Sequence, residues 1–290
     1  MRIHAALISA LVVAPAFVAA GAPDVHAADP AAFEAALGAP RAVAQDEEEE
    51  KEDNRAEVAT LIEQLEGHLK ARGEEDDEAI RVIRDLSVEF DNSGPKDRKA
   101  IAKIVAECVE VKRKELAEDV PDQKLQTEAA KAMGGFGEEG GDLLLKLVDS
   151  KELEGKAKAQ RETILSLGRT KHEKGVKVLV KMLDDKNYEV EGAAAQALGN
   201  YSDAKEKVRK DIVEALLKKI VPLSDLMEDS GDYSGTGQAD SNEDFEEKRK
   251  EYEALASGTM SSLALLTGHS EEDFRGWQAW WNDNKREKWD

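Results

Sequence analysis

From Ala56 onward, apolar positions along this chain recur at helical spacing. Val58, Leu61, Ile62, Leu65 and Leu69 fall on one stripe of an amphipathic helix. Gly73 and the acidic run Glu74–Glu78 then predict a turn and a new helix start, because carboxylates favour the positive end of the helix dipole. Ile80, Ile83, Leu86 and Phe90 mark that second helix, Asn92-Ser-Gly-Pro95 breaks it, and Ile101–Val109 carries a third. Beyond Pro121 the helices come in pairs, centred near Ala129–Met133, Leu143–Val148, Thr163–Leu167, Val176–Leu183, Ala193–Leu198 and Val208–Ile220. No Val/Ile/Thr-rich alternating run of strand length interrupts them, so the pattern predicts an all-α fold.

Within the paired region one segment recurs. Val190-Glu-Gly-Ala-Ala-Ala-Gln-Ala-Leu-Gly-Asn-Tyr201 has looser copies in Ala129-Ala-Lys-Ala-Met-Gly-Gly-Phe136 and Thr163-Ile-Leu-Ser-Leu-Gly-Arg-Thr170. Aligned on Gly134, Gly168 and Gly199, the copies stand 34 and 31 residues apart. A period in this range means a solenoid, in which each unit buries its apolar face on its neighbours. The glycines are expected to end the first helix of each pair in a left-handed conformation, where Gly costs least. The alanines before them are expected to let that helix press closely on the second one.

Val190-Glu-Gly-Ala-Ala-Ala-Gln-Ala-Leu-Gly199, followed by Asn-Tyr and a Leu/Val/Ile-rich helix, resembles the HEAT-like repeat, especially its short bacterial type. Units of that family carry a basic residue after the valine, where this chain has Glu191. The resemblance covers Asp122–Ile220, with Ala56–Leu116 as a divergent extension. Leu263-Ala-Leu-Leu-Thr-Gly268, followed by Phe274, Trp277 and Trp280-Trp281-Asn-Asp-Asn284, is similar to the ending of exported bacterial HEAT-repeat proteins, many from planctomycete-like lineages. Together these resemblances imply a right-handed α-α superhelix, a HEAT-like solenoid with a C-terminal helical cap, that serves as a scaffold.

The rest of the chain divides around this array. Arg2, the apolar run Ala5–Val18 and Val25-His26-Ala27 have the layout of a secretory signal peptide over residues 1–27. The run is shorter than the ~20 residues a spanning helix needs, and Pro15 interrupts it. A second small-residue cleavage signal is Ala42-Val43-Ala44. Residues 28–55 are Ala/Pro-rich and then densely acidic, which predicts a disordered linker. Helical repeats occupy 56–223, ended by Pro222, and the Gly/Ser/Asp-rich stretch 224–244 reads as an acidic flexible insertion. Residues 245–290 form a Trp-rich helical cap.

Charge narrows the partners. With 41 basic and 62 acidic residues the net charge is -21, which repels nucleic-acid phosphates and anionic membranes. No membrane association is expected after signal cleavage, and the expected location is periplasmic or extracellular. Cys108 is the only cysteine, on the stripe of Ile101, Ile104 and Val105, and reads as a buried structural thiol.

Candidate chemistry is sparse. Gly135-Phe-Gly-Glu-Glu-Gly140 matches G-x-G-x-x-G by letter, but a helix precedes it and two glutamates would repel phosphate, so a turn between helices is expected. His68, His172 and His269 stand apart, with no metal-binding spacing and no serine-nucleophile elbow in the chain. Phe274, Trp277 and Trp281 share one helix face with Trp280 beside it. That face is either an aromatic partner-binding patch or a cap closing the solenoid core, and the cap is the expected role. No catalytic residue, cofactor or metal is assigned. The expected function is a noncatalytic exported scaffold whose concave face holds a protein or peptide. Two alternatives remain. One is an enzyme-accessory or lyase-like role, as in HEAT-like proteins that attach or detach bilin pigments. The other is calcium binding by Asp225, Glu228, Asp229, Asp232, Asp240, Glu243 and Asp244.

Overall fold

The computed structural model describes residues 51–71, 73–112, 123–230 and 239–289. The expected signal segment 1–27 and linker residues 28–50 lie outside the described residues. Among those described, eleven α-helices follow one another with no strand. They are α1 (Ala56–Lys70), α2 (Asp76–Asn92), α3 (Pro95–Glu110), α4 (Lys124–Met133), α5 (Gly137–Leu147), α6 (Ala157–Thr170), α7 (Gly175–Met182), α8 (Tyr188–Leu198), α9 (Glu206–Ser230), α10 (Ala239–Thr267) and α11 (Phe274–Asn284). Local chemistry sets several starts. Pro95 occupies the first turn of α3, where its missing N–H costs nothing. Asn187 accepts the Glu189 N–H at 3.0 Å to cap α8, and Asp273 accepts the Gly276 N–H at 2.7 Å to cap α11.

The helices stack in two layers. α2, α4, α6, α8 and α10 pack side by side in one, and α1, α3, α5, α7, α9 and α11 in the other, with each helix also packed on its chain neighbour. One continuous apolar core runs between the layers from Val58 to Trp281. This is the HEAT-like α-solenoid that the repeat period predicts.

The repeat glycines do a different job from the one expected. Gly134 and Gly199 have right-handed φ values of -61° and -62°, and Gly168 lies inside α6, whose end is capped instead by left-handed Lys171. The glycines are needed for close approach. A Cβ on Gly168 would stand 2.5 Å from the Ala197 carbonyl oxygen of α8. One on Gly192 would stand 2.5 Å from the Ala254 carbonyl oxygen of α10, and one on Gly199 would stand 2.6 Å from Ser262 Oγ. The buried alanines 193, 194, 195 and 197 extend the same smooth surface. These glycines therefore serve the close approach of the first helix of a pair to the first helix of the next pair rather than to its own partner.

Two expected boundaries also move. Pro222 does not end its helix: α9 continues to Ser230. The proline ring faces solvent, so the backbone hydrogen bond it forgoes can be replaced by water, while Ile220, Leu223 and Ser224 stay buried on either side. The stretch 224–244 is consequently helical over 224–230 and again over 239–244, and residues 231–238 lie outside the described ones. At the N-terminal end of the array, the three residues before Ala56 are anchored. The buried Asp97 carboxylate accepts the N–H groups of Asn54 and Arg55 at 3.0 and 2.9 Å, and Asp53 accepts the Lys96 N–H at 2.8 Å.

The close approach of α6 to α8 gives a direct test. Gly168→Ala should lower stability by ~1–3 kcal/mol, because backbone is the atom that must move. Gly67→Ala, inside α1 with nothing within 4 Å of its Cβ position, should raise it by ~0.5–1 kcal/mol. Thermal melts of the two variants check this, and equal shifts in one direction would refute the helix-to-helix contact.

Candidate functional site

The aromatic residues singled out by sequence gather at the C-terminal end of the array. Phe274, Trp277 and Trp281 of α11 are buried, Trp277 completely, and the Trp277 indole N–H points to Met260 Sδ at 2.9 Å. Trp280 is half-buried and stacks on the His269 ring with centroids 5.1 Å apart. His269 Nε2 in turn meets Glu271 Oε1 at 2.6 Å. Trp289 closes over Trp280 and Trp281, and Arg209 and Lys210 of α9 lie over its ring at 5.7 and 5.1 Å. Three of the four expected residues thus have almost no surface to offer a partner.

The acidic residues proposed for calcium are divided by the fold. Asp225 and Glu228 both pair with Arg275 of α11, at 3.1 and 2.6 Å, while Glu243 and Asp244 are exposed on α10. The side chains of Asp229, Asp232 and Asp240 lie outside the described residues. Among the described residues no group of three or more His, Cys, Asp or Glu is placed to hold a metal ion. The histidines stay separate, His68 beside Glu75 and His172 beside Asp142. Within Gly135–Gly140 only Gly135 and Phe136 belong to the turn after α4, and the rest forms the first turn of α5. Phe136 is buried and stacked on Phe90 at 4.3 Å, and Gly137 opens α5 with φ 53°. Cys108 is fully buried in α3.

Sequence reasoning missed the most polar feature of the interior. Lys219 of α9 is held between Glu191 of α8 at 2.6 Å and Glu251 of α10 at 2.7 Å, with side-chain exposures of 17%, 2% and 8%. Lys248 also reaches Glu251 at 2.8 Å, and the Tyr188 hydroxyl donates to Glu247 at 2.8 Å. That bond pushes the Tyr188 pKa up to about 12. Burial works against the charge of Lys219, but its hydrogen bonds to both glutamates outweigh that and raise its pKa. The two glutamates shift in opposite directions. Desolvation dominates at Glu191, whose second oxygen is buried without a partner, and its pKa rises. Glu251 is desolvated too, but two ammonium groups more than compensate and its pKa falls. Glu191 stood out in the sequence as a departure from the repeat pattern, but its partner Lys219 lies 28 residues on, in the next helix.

The second missed feature is on the surface. Ala56, Glu57, Thr60 and Leu61 of α1 and Asp85, Val88 and Glu89 of α2 line an open groove of about 540 Å³ at the N-terminal end of the array. Val88 is 65% exposed there, the highest value among the large apolar residues described as exposed. Arg55 holds Glu89 at 2.5 Å and Glu57 at 3.2 Å, while Asp85 stands exposed on the rim. The signal was present in the sequence: Val88 falls off the stripe of Ile80, Ile83, Leu86 and Phe90, on a face otherwise polar.

Two tests follow from these packings. Native Glu251 holds its proton less tightly than in the unfolded chain, so its stabilisation is present above pH 4.5 and lost as pH falls through the lower native value. Glu251→Gln should therefore be destabilising at neutral pH, with the gap to wild type closing in acid. Native Glu191 holds its proton more tightly, so its contribution declines as pH rises above 4.5. Glu191→Gln should gain on wild type as pH rises, and parallel slopes in denaturant titrations of the two variants would contradict this. For the aromatic end, Trp277→Ala should cost ~3–5 kcal/mol and Trp280→Ala clearly less. Hydrogen exchange should rise over α9–α11 and not over α1–α3, since solenoid stability passes between neighbours.

Residues 152–222 match the family of HEAT repeats, a span that takes in α6, α7, α8 and most of α9. No curated protein and no solved structure matches the chain. The matched span covers two consecutive helix pairs, and the same two-layer stacking continues on both sides of it, so the fold around the matched repeats is that of a HEAT-like α-solenoid.

Proposed function

We propose that this protein is an exported, noncatalytic scaffold that holds a protein or peptide partner. The observation that carries the reading is the HEAT-repeat match over 152–222 within an array that continues in both directions. Stacked repeats make a long, stiff, side-by-side surface, which suits an extended partner better than a small substrate. The interior polar groups support the same reading. Lys219, Glu191 and Glu251 are engaged with one another between helices. Export rests on Arg2, Ala5–Val18 and Val25-His26-Ala27. No described helix is long and apolar enough to cross a membrane.

Expression of the full chain in a bacterium, followed by mass spectrometry of the exported fraction, checks export. The mature protein should begin at Ala28 or Gln45, and an uncleaved chain retained in the cytoplasm would refute it. Photo-crosslinkers placed on successive helices should capture one and the same polypeptide. Labelling confined to a small molecule, with turnover of that molecule, would replace the scaffold by an enzyme.

A further inference from the structure

We infer that the groove between α1 and α2 is a docking site for a basic amphipathic helix of a protein partner. The inference rests on the scaffold reading and assigns it a surface and a partner chemistry. α2 is the first helix of its layer. Its inner side is covered by α4, while among the described residues no helix of that layer lies on its other side. Every later helix of the layer except α10 is covered on both sides by its own kind. The occupant that continues this stacking is itself a helix, because α1 and α2 pack side by side and leave a trough between them.

The floor and rim define its chemistry. Leu61 and Val88, with the Ala56 methyl, give an apolar floor, and a 65%-exposed Val88 gains burial only when something covers it. Glu57 is 73% exposed and shares Arg55 with Glu89, so the rim carries three carboxylates, counting Asp85, against one guanidinium. A helix with Leu-like anchors flanked by Lys or Arg satisfies both parts, with the anchors supplying affinity and the charges supplying orientation and encounter rate. A second copy of this chain is a poor occupant, because each copy carries a net charge of -21.

The test uses the full chain and a synthetic Leu/Lys peptide with leucines at helical spacing, titrated by fluorescence anisotropy, with the matching Leu/Glu peptide as the charge control. The Leu/Lys peptide should bind and the Leu/Glu peptide should not. Val88→Asp and Asp85→Lys should each weaken binding about tenfold, the size of one lost anchor contact. Both positions are exposed, so far-ultraviolet circular dichroism and melting should match wild type. Glu107→Lys, an exposed reversal on α3, should leave binding unchanged. Equal weakening by Glu107→Lys, or none by Val88→Asp, would mean diffuse charge attraction and overturn the site. Loss of a dimer on Val88→Asp in sedimentation would make the groove a self-interface and overturn the partner. A crosslinked partner seated elsewhere on the array would sink the groove and leave the scaffold standing. Failure to capture any polypeptide, with peptide binding intact at the groove, would sink the scaffold reading instead.

Discussion

Backbone-to-backbone contact between successive helices of one layer is the constraint on which the rest of this array depends. Gly168 against Ala197, Gly192 against Ala254 and Gly199 against Ser262 leave no room for a Cβ. Ser262 turns the last of these into a hydrogen bond as well, donating to the Ala195 carbonyl at 2.7 Å inside the core. Once α6, α8 and α10 are locked at this spacing, the second layer must follow with larger side chains that fill the wider gaps. Leu179, Leu183, Ile212, Val213, Leu216 and Leu217 do so. The small residues of α8 thus set the spacing of that layer, while the second layer packs through larger side chains.

The tight stacking forces a polar group into a place where it needs an answer. Glu191 sits in the first turn of α8, where the neighbouring helices leave it almost no water. Lys219 answers it from the other layer and Glu251 from the next helix of the same layer, so three helices are tied at one point. Such a cluster gives little net stability relative to an apolar replacement, because desolvation offsets most of the Coulomb attraction. Its effect is on register: α9 and α10 cannot slide past α8 without stranding a buried charge. The unpaired oxygen of Glu191 marks where the compensation is incomplete.

The two ends of the array are finished differently. At the C-terminal end, α11 places Phe274, Trp277 and Trp281 over the core, and Trp289 folds back under Arg209 and Lys210. Arg275 fastens the same helix to the final turns of α9 through Asp225 and Glu228. At the N-terminal end, Asp97 and Asp53 clamp the incoming strand of chain, and the trough between α1 and α2 keeps Val88 in solvent. The two ends are thus finished with different chemistry, aromatic rings at one and carboxylate clamps at the other, and each still exposes apolar side chains, Val88 at the N-terminal end and Leu226 and Leu265 near the C-terminal end.

Much of the architecture was legible from the sequence. The stripe Val58–Leu69, the break at Asn92–Pro95 and the 34- and 31-residue spacing of Gly134, Gly168 and Gly199 depend on contacts within a few turns of chain, and local periodicity records such contacts directly. The role of those glycines was not legible, because the atom each one avoids belongs to the next repeat or beyond. Pro222 misled for a related reason: a local rule predicts a helix end, while burial of Leu223 and Ser224 against distant helices, with the ring turned to water, lets the helix continue. The pairing of Glu191 with Lys219 and Glu251, and the exposure of Val88, were likewise decided only by tertiary structure. Sequence sets which residues are charged or apolar, but their neighbours, and so the cost of their charge or the value of their surface, exist only once the layers have stacked.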